Sequence, residues 1–432
     1  MIISLMLFGR ITLTYKTASP ISPRNKLFKN MQGGSLPAAT LSSYNDDKEA
    51  NKMKIGTVKE LKNHEYRVGL TPDNVMAYVK KGHRVFIQAG AGEMASFTDD
   101  EYRLHGAEIL PTAVDVYASC DMIVKVKEPV AEEYQYLRPE LILFTYLHLA
   151  PNPALADALL SSGTKAVAYE TIEGRSQSLP CLRPMSEIAG RLSIQEGAKY
   201  LERPFGGRGI LLGGVPGVER GKVVIIGGGI TGTYAAKAAV GMGAQVTLLD
   251  ISLSRLVYLD DIFGASITTL YSSETNIARS LAEADLVVGA VLIPGATTPL
   301  LIRKEHLKIM KQGAVIVDIA IDQGGCCETS KETTHDNPVF LVDGIVHYCV
   351  GNMPGAVPRT STVALANTTL PYGLMIADMG LEKACELNEG LEKGVNIFQG
   401  KCVNKNVAES LGLEFTPPNE LMQYKMRCAS AI

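Results

Sequence analysis

Short apolar runs alternate with helical patterns along the chain from Met53 onward. Runs of four to eight residues that are rich in β-branched side chains predict strands. The first group is "KIGTVK", "HRVFIQ", "MIVKVK", "LILFTYLH" and "KAVAYETI", and the second is "KVVIIG", "QVTLLD", "ASITTLY", "LVVGAV", "AVIVDIAI" and "IVHYCV". Helix signals lie between them, as in "TPDNVMAYVKKG", where Thr71 predicts an N-cap and Pro72 the first helical position. This alternation predicts parallel sheets with helices on both faces.

The two groups of strands predict an α/β protein with two doubly wound, Rossmann-like domains. Beyond Pro358, "TSTVALANTTLPYGLMIADMG" and "LEKACELNEGLEKGVNIF" predict helices without new strands. If these helices return to cover the first domain, the second domain is an insertion within it. The predicted boundaries are 53–180 and 359–432 for the first domain and 181–358 for the second.

The composition is that of an ordinary globular protein. Of the 432 residues, 46% are hydrophobic and 20% are charged, and the net charge is −3. This balance gives no basic surplus for nucleic acid, and no run of about 20 apolar residues predicts a membrane span. The eight cysteines are scattered without the paired spacing of a zinc site or a secreted disulfide framework. We therefore expect a soluble, cytoplasmic protein.

Residues 1–52 differ from the rest of the chain. They carry Arg10, Lys16, Arg24, Lys26 and Lys29, contain several serines, and have no acidic residue before Asp46. This composition is typical of an organelle transit peptide, which would place the protein in a mitochondrion or another organelle. An upstream false start is the other interpretation, since "MKIGTVKE" at Met53 resembles a natural beginning.

The strongest motif lies in "GKVVIIGGGITGTYAAKAAVGMGAQVTLLD". Gly227, Gly229 and Gly232 form G-x-G-x-x-G directly after a predicted strand and at the start of an alanine-rich helix. The first glycine permits a tight turn, the second lets the backbone approach a pyrophosphate, and the third lets the helix pack on the strand. The phosphates then meet the unpaired N–H groups of the helix. The second domain is therefore predicted to bind a dinucleotide.

Asp250 indicates which dinucleotide this is. It ends the next predicted strand, where a carboxylate accepts a hydrogen bond from the ribose 2′-hydroxyl and repels a 2′-phosphate. This favours NAD over NADP. Arg255 leaves NADP open, because a nearby arginine can accommodate the 2′-phosphate. A glycine-rich turn beside a solvated aspartate is the plainer interpretation, but a strand, a helix and an acid in register favour the cofactor site.

Candidate substrate residues follow from the rule that ligands in open α/β sheets bind beyond the carboxyl ends of the strands. Lys127, His148 and Glu170 end predicted strands of the first domain, and Asp322 ends one of the second. Arg67 lies in the loop between the first strand and its helix. All of these side chains are expected to face one cleft.

These residue types suit a small keto or amino acid beside a nicotinamide. Arg67 would hold a carboxylate bidentately, Lys127 would polarise a carbonyl or an imine, and His148 or Asp322 would move protons. Each also has an ordinary interpretation as a core histidine or a surface charge, although a lysine in an apolar strand is unusual. Asp318 is predicted to be structural, as an acceptor for backbone N–H groups or a partner of a cation.

Ten motifs in order between Met53 and about Pro418 resemble the alanine dehydrogenase family, which is related to the NAD-binding subunit of proton-translocating transhydrogenase. They are "KIGTVKELKNHEYRVGLTP", "VKVKEP", "LFTYLHLA", "AYETI", "PMSEIAGRLSIQEGA", "GGVPGVE", "GGGITGTYAA", "ADLVVGAVLIPGA", "VDIAIDQGG" and "NMPGAVPRTST". Two departures from the family pattern are Val58, where proline is usual, and His64, where asparagine is usual.

The resemblance implies roles for individual residues. Arg67 and Lys127 would bind the substrate, and His148 and Asp322 would be the catalytic pair. The implied NAD-binding residues are Ser186, Gly227, Gly229, Thr231, Gly232, Asp250, Arg255, Ser272, Val291, Leu292, Asn352 and Met353. Some members have a metal site with a glutamate and a histidine after the "PY" segment, but "PYGLMIADMG" supplies neither, so no metal is predicted.

The leading expectation is an NAD-dependent L-alanine dehydrogenase, which interconverts L-alanine with pyruvate and ammonium. The alternative is the soluble NAD-binding subunit of transhydrogenase, and a third possibility is a non-catalytic NAD-binding protein. The predicted acid–base pair favours the dehydrogenase. The resemblance also implies a homo-hexamer, with small-molecule substrates and with neither a nucleic-acid nor a membrane partner.

Overall fold

The computed structural model describes residues 52–291 and 298–422 of the chain. These residues form two sheets flanked by helices. The predicted targeting segment, apart from Lys52, and the predicted NAD-binding Leu292 lie outside the described residues.

The first sheet has the strand order β15-β14-β6-β5-β4-β1-β2-β3. Its strands are β1 (Lys54–Thr57), β2 (Arg84–Gln88), β3 (Glu108–Leu110), β4 (Met122–Val124), β5 (Ile142–Thr145), β6 (Lys165–Ala168), β14 (Val395–Phe398) and β15 (Lys401–Cys402). Strands β1 to β6 pair in parallel in the order 3-2-1-4-5-6, which is the doubly wound arrangement. Strands β14 and β15 extend one edge in the antiparallel direction.

The prediction that no strand follows Pro358 is wrong. The helix Glu389–Gly394 ends at a glycine, and "VNIF" continues as β14 rather than as helix. Val395 and Ile397 pair with β6, which would otherwise leave a row of unpaired backbone groups at the sheet edge. A local helical pattern does not contain this long-range reason for a strand.

The second sheet has the order β12-β13-β11-β10-β7-β8-β9. Its strands are β7 (Lys222–Ile226), β8 (Gln245–Asp250), β9 (Ile267–Tyr271), β10 (Leu286–Gly289), β11 (Val315–Asp318), β12 (Val339–Val342) and β13 (Ile345–Tyr348). The parallel strands repeat the order 3-2-1-4-5-6. Strand β12, which the apolar pattern missed, forms an antiparallel hairpin with β13 at the edge.

The helices connect these strands and cover the sheets. They are α1 (Pro72–Lys80), α2 (Asp99–Leu104), α3 (Ala113–Ser119), α4 (Pro153–Ser162), α5 (Arg183–Tyr200), α6 (Ile230–Gly241), α7 (Leu253–Phe263), α8 (Glu274–Glu283), α9 (Pro358–Met379), α10 (Leu381–Leu387), α11 (Glu389–Gly394), α12 (Lys405–Leu411) and α13 (Pro418–Leu421). The predicted start of α1 is confirmed, because the Thr71 hydroxyl accepts a hydrogen bond from the N–H of Asn74. Across the described residues, none of these helices combines the length and apolarity needed to cross a bilayer.

Each sheet has a hydrophobic core on both faces. In β4, Met122 and Val124 contribute to one core and Ile123 to the other, as expected from the alternation of side chains along a strand. Leu365 and Ile376 of α9 join the core of the first sheet. The predicted α/β, two-domain fold is confirmed, with mixed rather than fully parallel sheets. The boundaries at residues 180 and 358 stay predictions.

Candidate active site

The candidate site lies where the strand order reverses in each sheet. In the first sheet this point is between β1 and β4, whose following segments carry Arg67 and Lys127. In the second sheet it is between β7 and β10, which are followed by residues 227–232 and by Val291. Ligands of doubly wound sheets bind at such switch points.

The predicted strand-end residues lie a few positions beyond the strands. Strands β4, β5 and β6 end at Val124, Thr145 and Ala168, before Lys127, His148 and Glu170. Just beyond β4 and β5, Lys125 and Tyr146 still donate their N–H groups to the backbone of the neighbouring segment at 3.1 and 3.2 Å, but side chains accept most of the following N–H groups. Glu60, for example, accepts the N–H of Val126 at 2.6 Å.

Arg67 is buried against a second carboxylate that sequence reasoning missed. Its Nε and Nη2 donate to the two oxygens of Glu65 at 2.6 and 2.5 Å, and Nη2 also donates to Asn352 Oδ1 at 3.0 Å. Nη1 lies 3.0 Å from the sulfur of Met185, which is a weak acceptor. Glu65 therefore takes the edge of the guanidinium that the predicted bidentate contact would use, and Nη1 is the group best placed to bind a ligand.

The Arg67–Glu65 pair is fully charged despite its burial. Burial would raise the pKa of Glu65, but hydrogen bonds and the charge of Arg67 outweigh it and lower that pKa. Burial would likewise lower the pKa of Arg67, and Glu65 reverses the effect. Asn352 also donates to Glu65 from its Nδ2 at 3.1 Å. Because Asn352 follows the second sheet, these hydrogen bonds join the two sides of the cleft.

Lys127 is half-buried beside this pair. Burial lowers the pKa of its ammonium, and the positive charge of Arg67 lowers it further, while Glu128 acts in the opposite direction. The lysine in the apolar strand pattern that is fully buried is instead Lys125. Lys127 is thus a cation that gives up its proton more easily than a surface lysine.

His148 is held by two carboxylates. Its backbone has a positive φ of 45°, and Glu170 accepts the backbone N–H groups of His148 at 2.7 Å and Leu147 at 3.1 Å. The imidazole Nδ1 lies 3.3 Å from Glu128 Oε2, and Lys62 forms an ion pair with the other oxygen of Glu128. This arrangement fixes both the backbone and the ring.

Glu128 is an anion that sets the tautomer of His148. Burial would raise its pKa, but hydrogen bonds from His148 and Lys62 outweigh burial and lower the pKa to about 2. A carboxylate at Nδ1 favours the tautomer with a proton there, which leaves Nε2 as the basic nitrogen. His148 therefore has the arrangement of a general base or acid with an orienting partner.

Asp322 faces this group from the second sheet. It does not end strand β11 but lies on the 3-10 turn Ile319–Gln323 that follows it. Asp322 is open to solvent at the cleft, yet the surrounding protein still raises its pKa, and the charges of Lys127 and His148 partly oppose this rise. The three side chains are thus within electrostatic range of one another.

Asp318 is structural, as predicted. Its Oδ1 accepts the N–H of Ala320 at 3.2 Å, and its Oδ2 accepts the N–H groups of Cys326 and Cys327 at 2.9 and 3.1 Å. Ser330 donates its hydroxyl to the same oxygen at 2.7 Å. These bonds shape the loop that presents Asp322.

The glycine turn has the geometry that the cofactor motif requires. Gly227 has a φ of 103°, and a Cβ on Gly232 would overlap the carbonyl oxygen of Gly227. Gly229 is the N-cap residue of α6, and a Cβ there would meet no atom within 4 Å. The first turn of α6 therefore opens onto free space, where N–H groups suit a phosphate.

Asp250 and Arg255 both contact this turn. Asp250 Oδ2 accepts the N–H of Gly228 at 2.6 Å. The guanidinium of Arg255 donates to the carbonyl of Gly228 at 2.5 Å and to the hydroxyl of Thr233 at 2.6 Å. Arg255 is therefore committed to the protein, which weakens the NADP interpretation.

Of the other predicted cofactor residues, Val291 contacts this turn, and Ser272 and Ser186 lie on segments close to it. Ser272 donates its N–H to the carbonyl of Asp250 at 3.0 Å, and Val291 lies next to Gly227. Helix α5 crosses α6 closely at Gly190 and Thr231, which puts Ser186 one helical turn from the crossing. Met353 is buried after Asn352. Within residues 52–291 and 298–422, no cluster of three or more His, Cys, Asp or Glu side chains has the geometry of a metal site.

The two missed residues, Glu65 and Glu128, stand beside predicted ones in "HEYR" and "VKEP". Each acid lies one or two positions from a predicted cation in a loop at the end of a strand. Because a buried cation needs a partner, this spacing could have predicted both acids.

Comparison with known proteins identifies the family of the chain. The family model "Alanine dehydrogenase/PNT, N-terminal domain" matches residues 56–189, and "Alanine dehydrogenase/PNT, C-terminal domain" matches residues 193–405. The chain belongs to the alanine dehydrogenase/PNT family. An alanine dehydrogenase of Methanococcus maripaludis is 55% identical over 86% of this chain and 100% of the relative. One of Bacillus subtilis is 54% identical over 88% of this chain and 100% of the relative.

Two solved structures share the fold. A structure titled L-alanine dehydrogenase has a TM-score of 0.82 and 51% sequence identity, and the match covers 83% of this chain and 99% of that one. A transhydrogenase from Sinorhizobium meliloti has a TM-score of 0.71 at 22% identity, over 82% of this chain and 99% of that one. At this lower identity the similarity shows the fold alone.

Proposed function

We propose that this chain catalyses the reversible, NAD-dependent oxidative deamination of L-alanine. L-alanine, NAD⁺ and water give pyruvate, ammonium, NADH and a proton. The observation that carries the proposal is the convergence of Arg67, Lys127 and the Glu128–His148 pair on one side of the cleft with Asp322 on the other. The relatives that are 54% and 55% identical and are named alanine dehydrogenase support the same reaction.

NAD fits the second switch point. The open N-terminus of α6 would receive the pyrophosphate, and Asp250, at the end of β8, would accept a hydrogen bond from the ribose 2′-hydroxyl. When bound, NAD supplies the hydride acceptor. The other predicted contacts, including Ser186, Ser272, Val291, Leu292, Asn352 and Met353, are proposed to complete this site.

Arg67 and Lys127 would bind the substrate at the first switch point. Nη1 of Arg67 would take the carboxylate that alanine and pyruvate share. The ammonium of Lys127 would donate to the pyruvate carbonyl oxygen and stabilise the negative charge that develops on it. Since burial and Arg67 lower the pKa of Lys127, its proton is unusually available for that oxygen.

His148 and Asp322 would handle the protons. Oxidation of alanine consumes a water and releases ammonium, so protons must leave the water and reach the nitrogen. Nε2 of His148, oriented by Glu128, is the proposed base for the water. Asp322, whose pKa is raised by its surroundings, is proposed to accept and donate protons from the opposite side of the cleft.

A direct assay tests the proposal. Purified protein incubated with L-alanine and NAD should produce NADH, and with pyruvate, ammonium and NADH it should consume NADH. If NAD binds but no amino acid in a panel gives NADH, the proposal is rejected. Hydride exchange between NAD and an NADP analogue without any amino acid would support the transhydrogenase-subunit alternative instead.

We also propose that the chain is a homo-oligomer, with the hexamer of the family resemblance as the expected state. Light scattering coupled to gel filtration would give its mass. We also propose a cytoplasmic location, because the scattered cysteines favour a reduced intracellular protein. Organelle fractionation of the native protein would test this against an organelle location.

A further inference from the structure

A buried cluster of charges lies behind the segment that carries Lys127 and Glu128. The ammonium of Lys125 is 3.3 Å from Glu60 Oε2 and 3.1 Å from Glu133 Oε1, and all three side chains are at most 2% exposed. The ammonium is within ion-pair distance of both carboxylates, although it lies outside strict hydrogen-bond alignment with either. Charges are costly to desolvate, so a buried ion pair is weak evidence for a stabilising role. The cluster therefore calls for another explanation.

Glu60 fixes the backbone of Lys127. Its two oxygens accept the N–H groups of Val126 at 2.6 Å and of Lys127 at 3.4 Å. On the other side of the same residue, the hydroxyl of Thr145 donates to the carbonyl of Lys127 at 3.0 Å. Lys127 is thus held from both sides at the point where the chain leaves β4.

Glu133 holds the other end of the segment. Its Oε2 accepts the N–H of Val130 at 3.0 Å, and its Oε1 accepts the hydroxyl of Tyr117 at 3.0 Å. Residues 126–130 are therefore anchored at both ends by buried carboxylates. Glu128, which orients His148, lies between the two anchors.

Lys125 makes these two anchors compatible with burial. Burial alone would lower its pKa, but the two carboxylates outweigh burial and raise it, so the ammonium keeps its charge. Burial raises the pKa of Glu60, and Lys125 offsets part of that rise. One buried cation thus supports two carboxylates that between them fix five residues of the cleft.

We propose that Glu60, Lys125 and Glu133 are positioning residues that set Lys127 and Glu128 for substrate binding and proton transfer. They act through the backbone of residues 126–130 and do not themselves touch the substrate. The inference rests on the proposed function, because it assigns Lys127 and His148 their roles in that reaction.

The test compares Glu60→Ala with Glu60→Gln. Alanine removes the acceptor for two backbone N–H groups, so kcat/KM for pyruvate should fall about 100-fold, as expected when a catalytic group is displaced by about 1 Å, while the Kd for NAD is unchanged. Glutamine keeps an acceptor oxygen and should restore most of the loss.

The matched control is Asp285→Ala, which removes a buried carboxylate at the amino end of the second sheet. This carboxylate is paired with Lys311 at 2.9 Å and with Arg208 at 3.2 Å. That variant should lower the melting temperature without changing KM for pyruvate.

Two further measurements keep the test decisive. Thr145→Val preserves the shape of a buried side chain and removes only the hydrogen bond to the Lys127 carbonyl. It should therefore lower kcat/KM for pyruvate in the same direction as Glu60→Ala, but by less.

Acetylation of Lys127 by acetic anhydride, followed by peptide mass spectrometry, gives the pH at which this lysine is half-acetylated. That pH should shift in Glu60→Ala even if the wild-type protein lacks alanine turnover. If the variants keep the wild-type kcat/KM and the wild-type acetylation midpoint, the positioning role is overturned. A shift in acetylation without wild-type turnover would reject the proposed function and retain the positioning role.

Discussion

Replacing Glu128 by glutamine should cost both stability and turnover, because this carboxylate joins three parts of the cleft. It bonds Lys62 and His148 and lies in the segment that carries Lys127. Glutamine has nearly the same shape and keeps one acceptor oxygen, but it loses the negative charge. The substitution therefore separates the charge of Glu128 from its packing.

The size of the stability effect follows from its pKa. Burial would raise this pKa, but hydrogen bonds from His148 and Lys62 outweigh it and lower the pKa from 4.5 to about 2. At about 1.4 kcal/mol for each pKa unit, this corresponds to about 3.5 kcal/mol. Glu128 itself is 6% exposed, but Lys62 and His148 are 38% and 40% exposed. Solvent screening at these partners reduces the expected contribution to about 2 kcal/mol at neutral pH.

The pH dependence has a defined sign. A carboxyl whose pKa is lowered by folding stabilises the fold fully above its unfolded-state pKa, here about 4.5. That contribution is lost as the pH falls from about 4.5 towards 2. The difference in the free energy of unfolding between wild type and Glu128→Gln should therefore be constant between about pH 5 and 7 and shrink below pH 4.5.

Urea denaturation followed by circular dichroism, at one protein concentration and several pH values, measures this difference. Glu132→Gln is the matched control, since Glu132 is an exposed acid just after this segment, and it should change stability by no more than about 0.5 kcal/mol. For turnover, loss of the group that orients His148 should reduce kcat on the order of 100-fold. A Glu128→Gln variant as stable and as active as Glu132→Gln would refute the assignment of Glu128 as the partner of His148.

Three further variants test the other roles. Lys127→Arg should move the alkaline limb of the pH profile of kcat/KM for pyruvate to higher pH. Burial and Arg67 lower the pKa of Lys127, so its ammonium loses its proton as the pH rises, whereas arginine stays charged. An unmoved limb would assign that limb to another group. Asp322→Asn should abolish most turnover and leave the Kd for NAD, measured by fluorescence titration, nearly unchanged; equal loss of both would indicate a structural role. Asp250→Gly should raise the ratio of kcat/KM for NADP to that for NAD, and an unchanged ratio would argue against the ribose contact.

The sequence predicted the α/β class and the glycine turn because both depend on local patterns. A parallel strand that is buried on both faces is a continuous apolar run, and β7 and β11 are of this kind. The glycine positions are fixed by steric demands within a few residues, as at Gly232. Strand β14 was not predictable in this way, because its reason lies in the open edge of β6, more than 200 residues earlier.

The side-chain partners in the cleft were the least predictable part. The sequence indicates that Arg67 and Lys127 lie near a carboxyl edge, but it does not show that Glu65 occupies one edge of the guanidinium. Residues that are close in sequence can face opposite ways, as Lys125 and Lys127 do here. Only the fold assigns Lys125 to the buried carboxylates and Lys127 to the cleft.

The two acids of "AVIVDIAIDQGG" illustrate why such assignments need the backbone path. If β11 continued to Asp322, as predicted, Asp318 and Asp322 would project from the same face of one strand, since side chains four positions apart do so. Instead the strand ends at Asp318, which bends the chain by accepting the N–H groups of Ala320, Cys326 and Cys327. The bend carries Asp322 into the cleft. The position of Asp322, the proposed catalytic acid, therefore depends on the backbone hydrogen bonds that Asp318 accepts.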